Sequence, residues 1–105
     1  MKTPESYEKV EIDAFLKRIG PEHAWWFKPS MFGLGKRGVP DYVCCIDGCF
    51  WSLEVKRPGK QPTDVQHRRM MEIAKTRGRT IAGTADVIIQ ALTDWLNARG
   101  IVVHE

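Results

Sequence analysis

Ile12, Phe15, Leu16 and Ile19 stand at the i, i+3, i+4, i+7 spacing of an amphipathic helix. Thr3 as N-cap, Pro4 at the first helical position and Glu5 in the first turn mark its start, and Gly20-Pro21 its stop, so the pattern predicts a helix to about Arg18. Carried backward at the same spacing, the apolar stripe reaches Glu8 and then Glu5, whereas Glu11 falls to one side. From Tyr42 onward the period changes to two. Asp47-Gly48 between two β-rich runs is a strong signal for a two-residue hairpin turn, with strands over 42–46 and 49–56. The pleat then assigns Tyr42, Cys44, Ile46, Cys49, Trp51, Leu53 and Val55 to one face, every one apolar or aromatic, which makes it the core side. Asp41, Val43, Cys45, Phe50, Ser52, Glu54 and Lys56 take the other.

The remaining pattern is shorter in range. Residues 24–29 (Ala-Trp-Trp-Phe-Lys-Pro) read as a short strand, and alternating aromatics such as Trp25 and Trp26 belong more often to a core than to a base-stacking surface. Met31 to Gly38 is a glycine-bearing loop. Thr63-Asp64-Val65-Gln66 has the Thr-x-x-Gln form of a capping box and opens a helix to about Arg77 that Gly78 ends. Arg79 to Gly83 suit a strand. Asp86 is placed to cap a final helix that turns Ile88, Leu92, Trp95 and Leu96 inward and closes at Gly100, and residues 101–103 suit a terminal strand or a packed tail. The order helix, strand, hairpin, helix, strand, helix describes an α/β domain, a small mixed sheet with helices against it.

The hairpin register has a chemical consequence. Counting outward from the turn sets Asp41 opposite Glu54, where Cβ atoms lie about 5 Å apart and like charges destabilise the pair. A cation held between them resolves the conflict. Two carboxylates would bind a hard metal ion through oxygen, with the Val55 carbonyl as an additional candidate ligand. Lys56, two residues after Glu54 and on the same face, is placed to orient an attacking water and to offset charge on a phosphorane. Read as a surface ion pair instead, these groups would contribute little, and three charges aligned opposite a wholly apolar face would go unexplained.

Length and composition narrow the possibilities. The 105 residues suit one domain spanning 1–105, with 43% hydrophobic and 28% charged residues, as in soluble globular proteins. No run of about 18 apolar residues and no signal-peptide core is visible, which points to a cytoplasmic protein without a membrane partner. The formal net charge of +3 is modest, yet its distribution is uneven: acids crowd the start, while 56–79 holds Lys56, Arg57, Lys60, Arg68, Arg69, Lys75, Arg77 and Arg79 against Asp64 and Glu72. A basic face beside an acidic pocket suits a polyanionic substrate, and the same residues also suit a solvated helix face. Lys36, Arg37, Arg57 and Lys60 are the candidate phosphate contacts, although the 31–38 loop serves equally as a plain connector. Gly-Leu-Gly-Lys-Arg-Gly is too short for a P-loop and precedes a strand, so no nucleotide cofactor is expected. Cys44, Cys45 and Cys49 are an odd number within strands, arguing against a disulfide framework, and they lack the spacing of a zinc site.

Asp41 followed by Glu54-Val55-Lys56 resembles the Asp and Glu-x-Lys pattern of PD-(D/E)xK nucleases. More narrowly, Gly38-Val39-Pro40-Asp41, Gly48, Glu54-Val55-Lys56-Arg57, Pro62-Thr63 and Gln66 together resemble the VRR-NUC group of that superfamily in its small stand-alone phage form, from Thr3-Pro4-Glu5 to Asp86-Val87. The resemblance implies a restriction-endonuclease-like core and a Mg²⁺- or Mn²⁺-dependent nuclease acting on DNA, often a homodimer and related to Holliday-junction resolvases. It adds two residues: a first-helix glutamate, for which Thr-Pro-Glu favours Glu5 with Glu8 in reserve, and Gln66. Helix-terminal stabilisation accounts for either glutamate, and capping accounts for Gln66. Three alternatives stand beside a junction nuclease: a DNA-binding module without catalysis, a structural protein, and a nuclease for nicks, flaps or ends.

Overall fold

A computed structural model describes residues 4–30 and 36–104. Its elements run α1 (Pro4–Ile19), β1 (Ala24–Phe27), β2 (Tyr42–Ile46), β3 (Cys49–Val55), α2 (Asp64–Lys75), β4 (Arg79–Gly83) and α3 (Ala85–Ala98). The expected Thr3 cap and the 31–35 part of the glycine loop lie outside the described residues. The sheet order is β1-β2-β3-β4, antiparallel through the first three strands and parallel between β3 and β4. A parallel pair needs a crossover, and α2 supplies it.

Asp47 and Gly48 adopt left-handed φ values of 48° and 78°. That is the mirror-image turn whose twist matches antiparallel strands. Ile46 pairs with Cys49 and Tyr42 with Leu53, as the turn and the pleat require. Ile12, Phe15, Leu16 and Ile19 of α1 and Ile88, Leu92 and Leu96 of α3 bury against Tyr42, Cys44, Ile46, Trp51, Leu53 and Val55. Ile101 and Val103 pack on this core from the chain end as a tail, not a strand.

The second face is divided. Around β3 and β4 it is closed, and Ser52 and Glu54 are buried there, with Ser52 donating to Thr80 Oγ1 at 2.6 Å. Around β1 and β2 it stays open. Trp26 packs on the core beside Tyr42, but Trp25 is 65% exposed and stacks edge-on against Phe27, so the core assignment holds for one tryptophan and fails for the other. The strand places Trp25 opposite exposed Cys45, on the face without a helix partner.

Two caps differ from expectation. Thr84, not Asp86, occupies the N-cap of α3 and makes no side-chain capping bond. The donor at that helix start is satisfied from α1: Glu8 Oε1 accepts from Ala85 N–H at 2.9 Å. At the end of α2, Arg77 takes the left-handed conformation at φ 71°. Gly78 is there for closeness instead, since a Cβ would lie 2.8 Å from Ile73 Cγ2 and 3.0 Å from Phe50 Cδ1.

Candidate functional site

The last register pair of the hairpin is Tyr42 with Leu53, so the next step outward sets Asp41 beside Glu54 and Val55. Asp41 Oδ2 accepts from the Val55 N–H at 2.7 Å, which closes the ladder with a side chain where β2 ends. Only 2% of Glu54 is exposed, and Lys56, directly after β3, is 6% exposed. The Lys56 N–H donates to Gly83 O at 2.8 Å and so carries the β3–β4 pairing to the edge of the site. A buried carboxyl facing another carboxylate is costly as an anion. Burial first, then the Asp41 charge, push the Glu54 carboxyl up to about 8, while the Lys56 ammonium opposes them.

The two sides of this sheet end are reached by different helices. From α2, Gln66 bonds both to its own helix cap and to Glu54. Its Oε1 accepts from Thr63 N–H at 2.9 Å and its N–H donates to Thr63 Oγ1 at 3.2 Å, completing the capping box. Its Nε2 donates to Glu54 Oε1 at 2.9 Å. A glutamine amide has one acceptor end and one donor end, and this one uses both.

From α1 come Glu5 and Lys9. Lys9 Nζ lies 3.4 Å from Asp41 Oδ1 and 4.0 Å from Glu5 Oε2. Glu5 is half-buried and adds to the charge that raises Glu54. Glu8 is held at the start of α3, which separates the two first-helix acids: Glu5 faces the site and Glu8 fastens two helices. Lys9 is anchored by the next turn, because Tyr42 OH donates to Lys9 O at 3.1 Å and to Asp13 Oδ1 at 2.5 Å. Burial opposes ionisation of Asp13, but the Tyr42 hydroxyl and the Lys28 ammonium, 2.9 Å away, hold its carboxyl below the usual range. Lys9 went unnoticed in the sequence although a signal was present: Glu5, Lys9 and Asp13 form a polar i, i+4, i+8 line beside the apolar stripe.

The candidate phosphate contacts divide in two. Arg57 and Lys60 line a cleft of about 330 Å³ with Pro4 and Glu5, so the structure brings them beside the first-helix acid. Lys36 instead pairs with Glu72 at 3.3 Å, and the Arg37 carbonyl accepts from Arg69 Nε at 2.9 Å. These two tie the 36–40 segment to α2. There Gly38, at φ 75°, packs so closely that a Cβ would lie 2.4 Å from Val65 Cγ1.

Among the described residues, no three His, Cys, Asp or Glu side chains converge as a metal-holding group. The opposed carboxyls of Asp41 and Glu54 offer the hard oxygen donors that a divalent cation takes. Cys44 is buried and its thiol is pushed up to about 12 by desolvation, leaving it a small hydrophobe.

The sequence matches no family model and no curated protein. A solved structure described as a VRR_NUC domain is similar over 89% of this chain and 97% of its own, with a TM-score of 0.73 and 20% identity. At that identity the likeness concerns the backbone, and the mixed four-stranded sheet with its flanking helices has the fold of a VRR_NUC domain.

Proposed function

We propose that this protein is a metal-dependent endonuclease that hydrolyses phosphodiester bonds in DNA, with branched or junction DNA as its substrate class. The observation that carries this reading is Glu54, buried and opposed to Asp41, with Lys56 following on the same strand. Asp41 and Glu54 are the side-chain ligands for Mg²⁺ or Mn²⁺, and the Val55 carbonyl is the backbone ligand. The metal supplies a water of lowered pKa and polarises the phosphoryl oxygen.

Lys56 directs its ammonium to the attacking water and to the charge that develops on the phosphoryl oxygens. Gln66 fixes the rotamer of Glu54 through its Nε2 donor, while its other end is held by the α2 cap. Glu5 adds negative charge on the α1 side, and Arg57 and Lys60 bind the flanking backbone phosphates. Lys36 and Arg37, placed along α2, contact DNA farther from the reacting phosphate. A junction resolvase cuts two strands symmetrically, so the working unit is a homodimer.

End-labelled four-way junction, linear, nicked and flap DNA, incubated with Mg²⁺, Mn²⁺ or chelator, test this reading. Paired metal-dependent cuts in the junction are expected from wild type and from Glu8→Ala, and their loss from Lys56→Ala and Glu5→Ala. Retained DNA binding without cleavage of any substrate would make the protein a binding module. Cleavage confined to nicks, flaps or ends would remove the junction assignment and leave the nuclease. A stable monomer at micromolar concentration in sedimentation would count against the resolvase.

A further inference from the structure

Lys9 has no part in the mechanism above, yet it is the α1 cation that reaches the acids. Its Nζ lies between Asp41 Oδ1 at 3.4 Å and Glu5 Oε2 at 4.0 Å. Its backbone is fixed beside the site, because its carbonyl accepts from Tyr42 OH, and Tyr42 is fully buried and next to Asp41 in the chain. The same hydroxyl reaches Asp13, one helical turn further on. The Lys9 backbone and the Asp41 backbone are therefore held by one side chain, leaving the length of the lysine as the adjustable part.

Resting on the metal reading of Asp41 and Glu54, we propose that Lys9 is a resident counter-cation of the metal-free site: its ammonium neutralises Asp41 and Glu5 until a divalent ion displaces it. Two positive groups compete for the same carboxylate oxygen. An ion bound through Asp41 Oδ1 has to move the ammonium aside, and the repulsion persists once it is bound. Lys9 thus sets how tightly the metal is held before DNA arrives. A merely structural lysine would have the opposite effect on removal, since loosening α1 would weaken metal binding.

The test measures Mn²⁺ affinity without DNA, from the EPR signal of the free ion, for wild type, Lys9→Met, Lys9→Arg and Asp41→Asn. Lys9→Met is expected to bind Mn²⁺ at least about fivefold more tightly, the direction required when a like charge within a few ångströms is removed. Lys9→Arg is expected to stay within about twofold of wild type, and Asp41→Asn to lose binding. Unchanged or weaker affinity in Lys9→Met, while wild type binds Mn²⁺ and Asp41→Asn does not, would overturn the Lys9 assignment and leave the metal reading standing. Absence of Mn²⁺ binding by wild type would overturn both. Should Lys9→Met fail to fold, the side-chain NMR signal of Lys9 in wild type decides: it is expected to shift in step with Mg²⁺ titration, and an unmoved signal at saturating metal would refute displacement.

Discussion

At the scale of single residues, the central feature is Glu54, a carboxyl buried beside Asp41, where loss of solvent and the neighbouring charge oppose its ionisation. Glu54 has its carboxyl pushed from about 4.5 to about 8 by burial and by Asp41. The folded state therefore binds this proton more tightly than the unfolded chain does. The associated stability is fully present below about pH 4.5 and is lost as pH rises through about 8. Urea denaturation with chelator present is expected to show metal-free protein weakening by about 2 to 4 kcal/mol between pH 5 and 9, at about 1.4 kcal/mol per tenfold change in proton affinity discounted for partial solvation. Glu54→Gln, a lasting mimic of the neutral acid, is expected to flatten that slope and to lose metal binding. A slope that survives the substitution would assign the effect to other groups. The residue pair itself was legible in the sequence, because turn and pleat are local and register follows from them. The helper residues were less so: Gln66 reaches Glu54 across a separation of 12 residues, and no periodicity announces that contact.

At the scale of elements, the site depends on the order in which β2, α2 and α1 are brought together. Gly38 marks a close approach. Its φ of 75° favours glycine, and a Cβ would meet Val65 side chain and backbone at 2.4 to 2.9 Å. Gly38→Ala is thus expected to cost at least about 2 kcal/mol, from overpacking together with an unfavourable φ. Because this approach joins the segment leading to Asp41 with the first turn of α2, the substitution is also expected to weaken metal binding. Thermal denaturation and Mn²⁺ titration of the same variant check both halves; an unaffected melting temperature would show that α2 shifts freely. Helix boundaries followed the sequence closely, since stripes and the Thr63–Gln66 capping box are short-range signals. The α3 start did not. Its donor is met by Glu8, 77 residues away, and capping rules that look only along the chain select Asp86 instead.

At the scale of the whole molecule, Arg57 and Lys60 share a cleft with Glu5, and further cations lie along α2. Phosphate contacts release counterions, so DNA affinity is expected to fall steeply with salt, and Arg57→Ala with Lys60→Ala to lower the slope of log affinity against log salt by about 1 to 2. Binding titrations between 50 and 200 mM salt measure it, and an unchanged slope would place the DNA elsewhere. Alternating aromatics suggest a core for Trp25 as for Trp26, yet Trp25 lies outward with Phe27 against it on the open half of the sheet. Alternation states which residues share a face; it does not state whether anything covers that face. What the sequence determined by itself is therefore what nearest neighbours along the chain decide: the helices, the hairpin and its register, and the opposition of Asp41 to Glu54. Tertiary structure alone decided which first-helix acid turns to the site, that Lys9 stands between Glu5 and Asp41, that Gln66 serves cap and carboxyl together, and which half of the second face is closed. Each of those rests on contacts between distant segments, where packing chooses among side chains that the local pattern leaves equivalent.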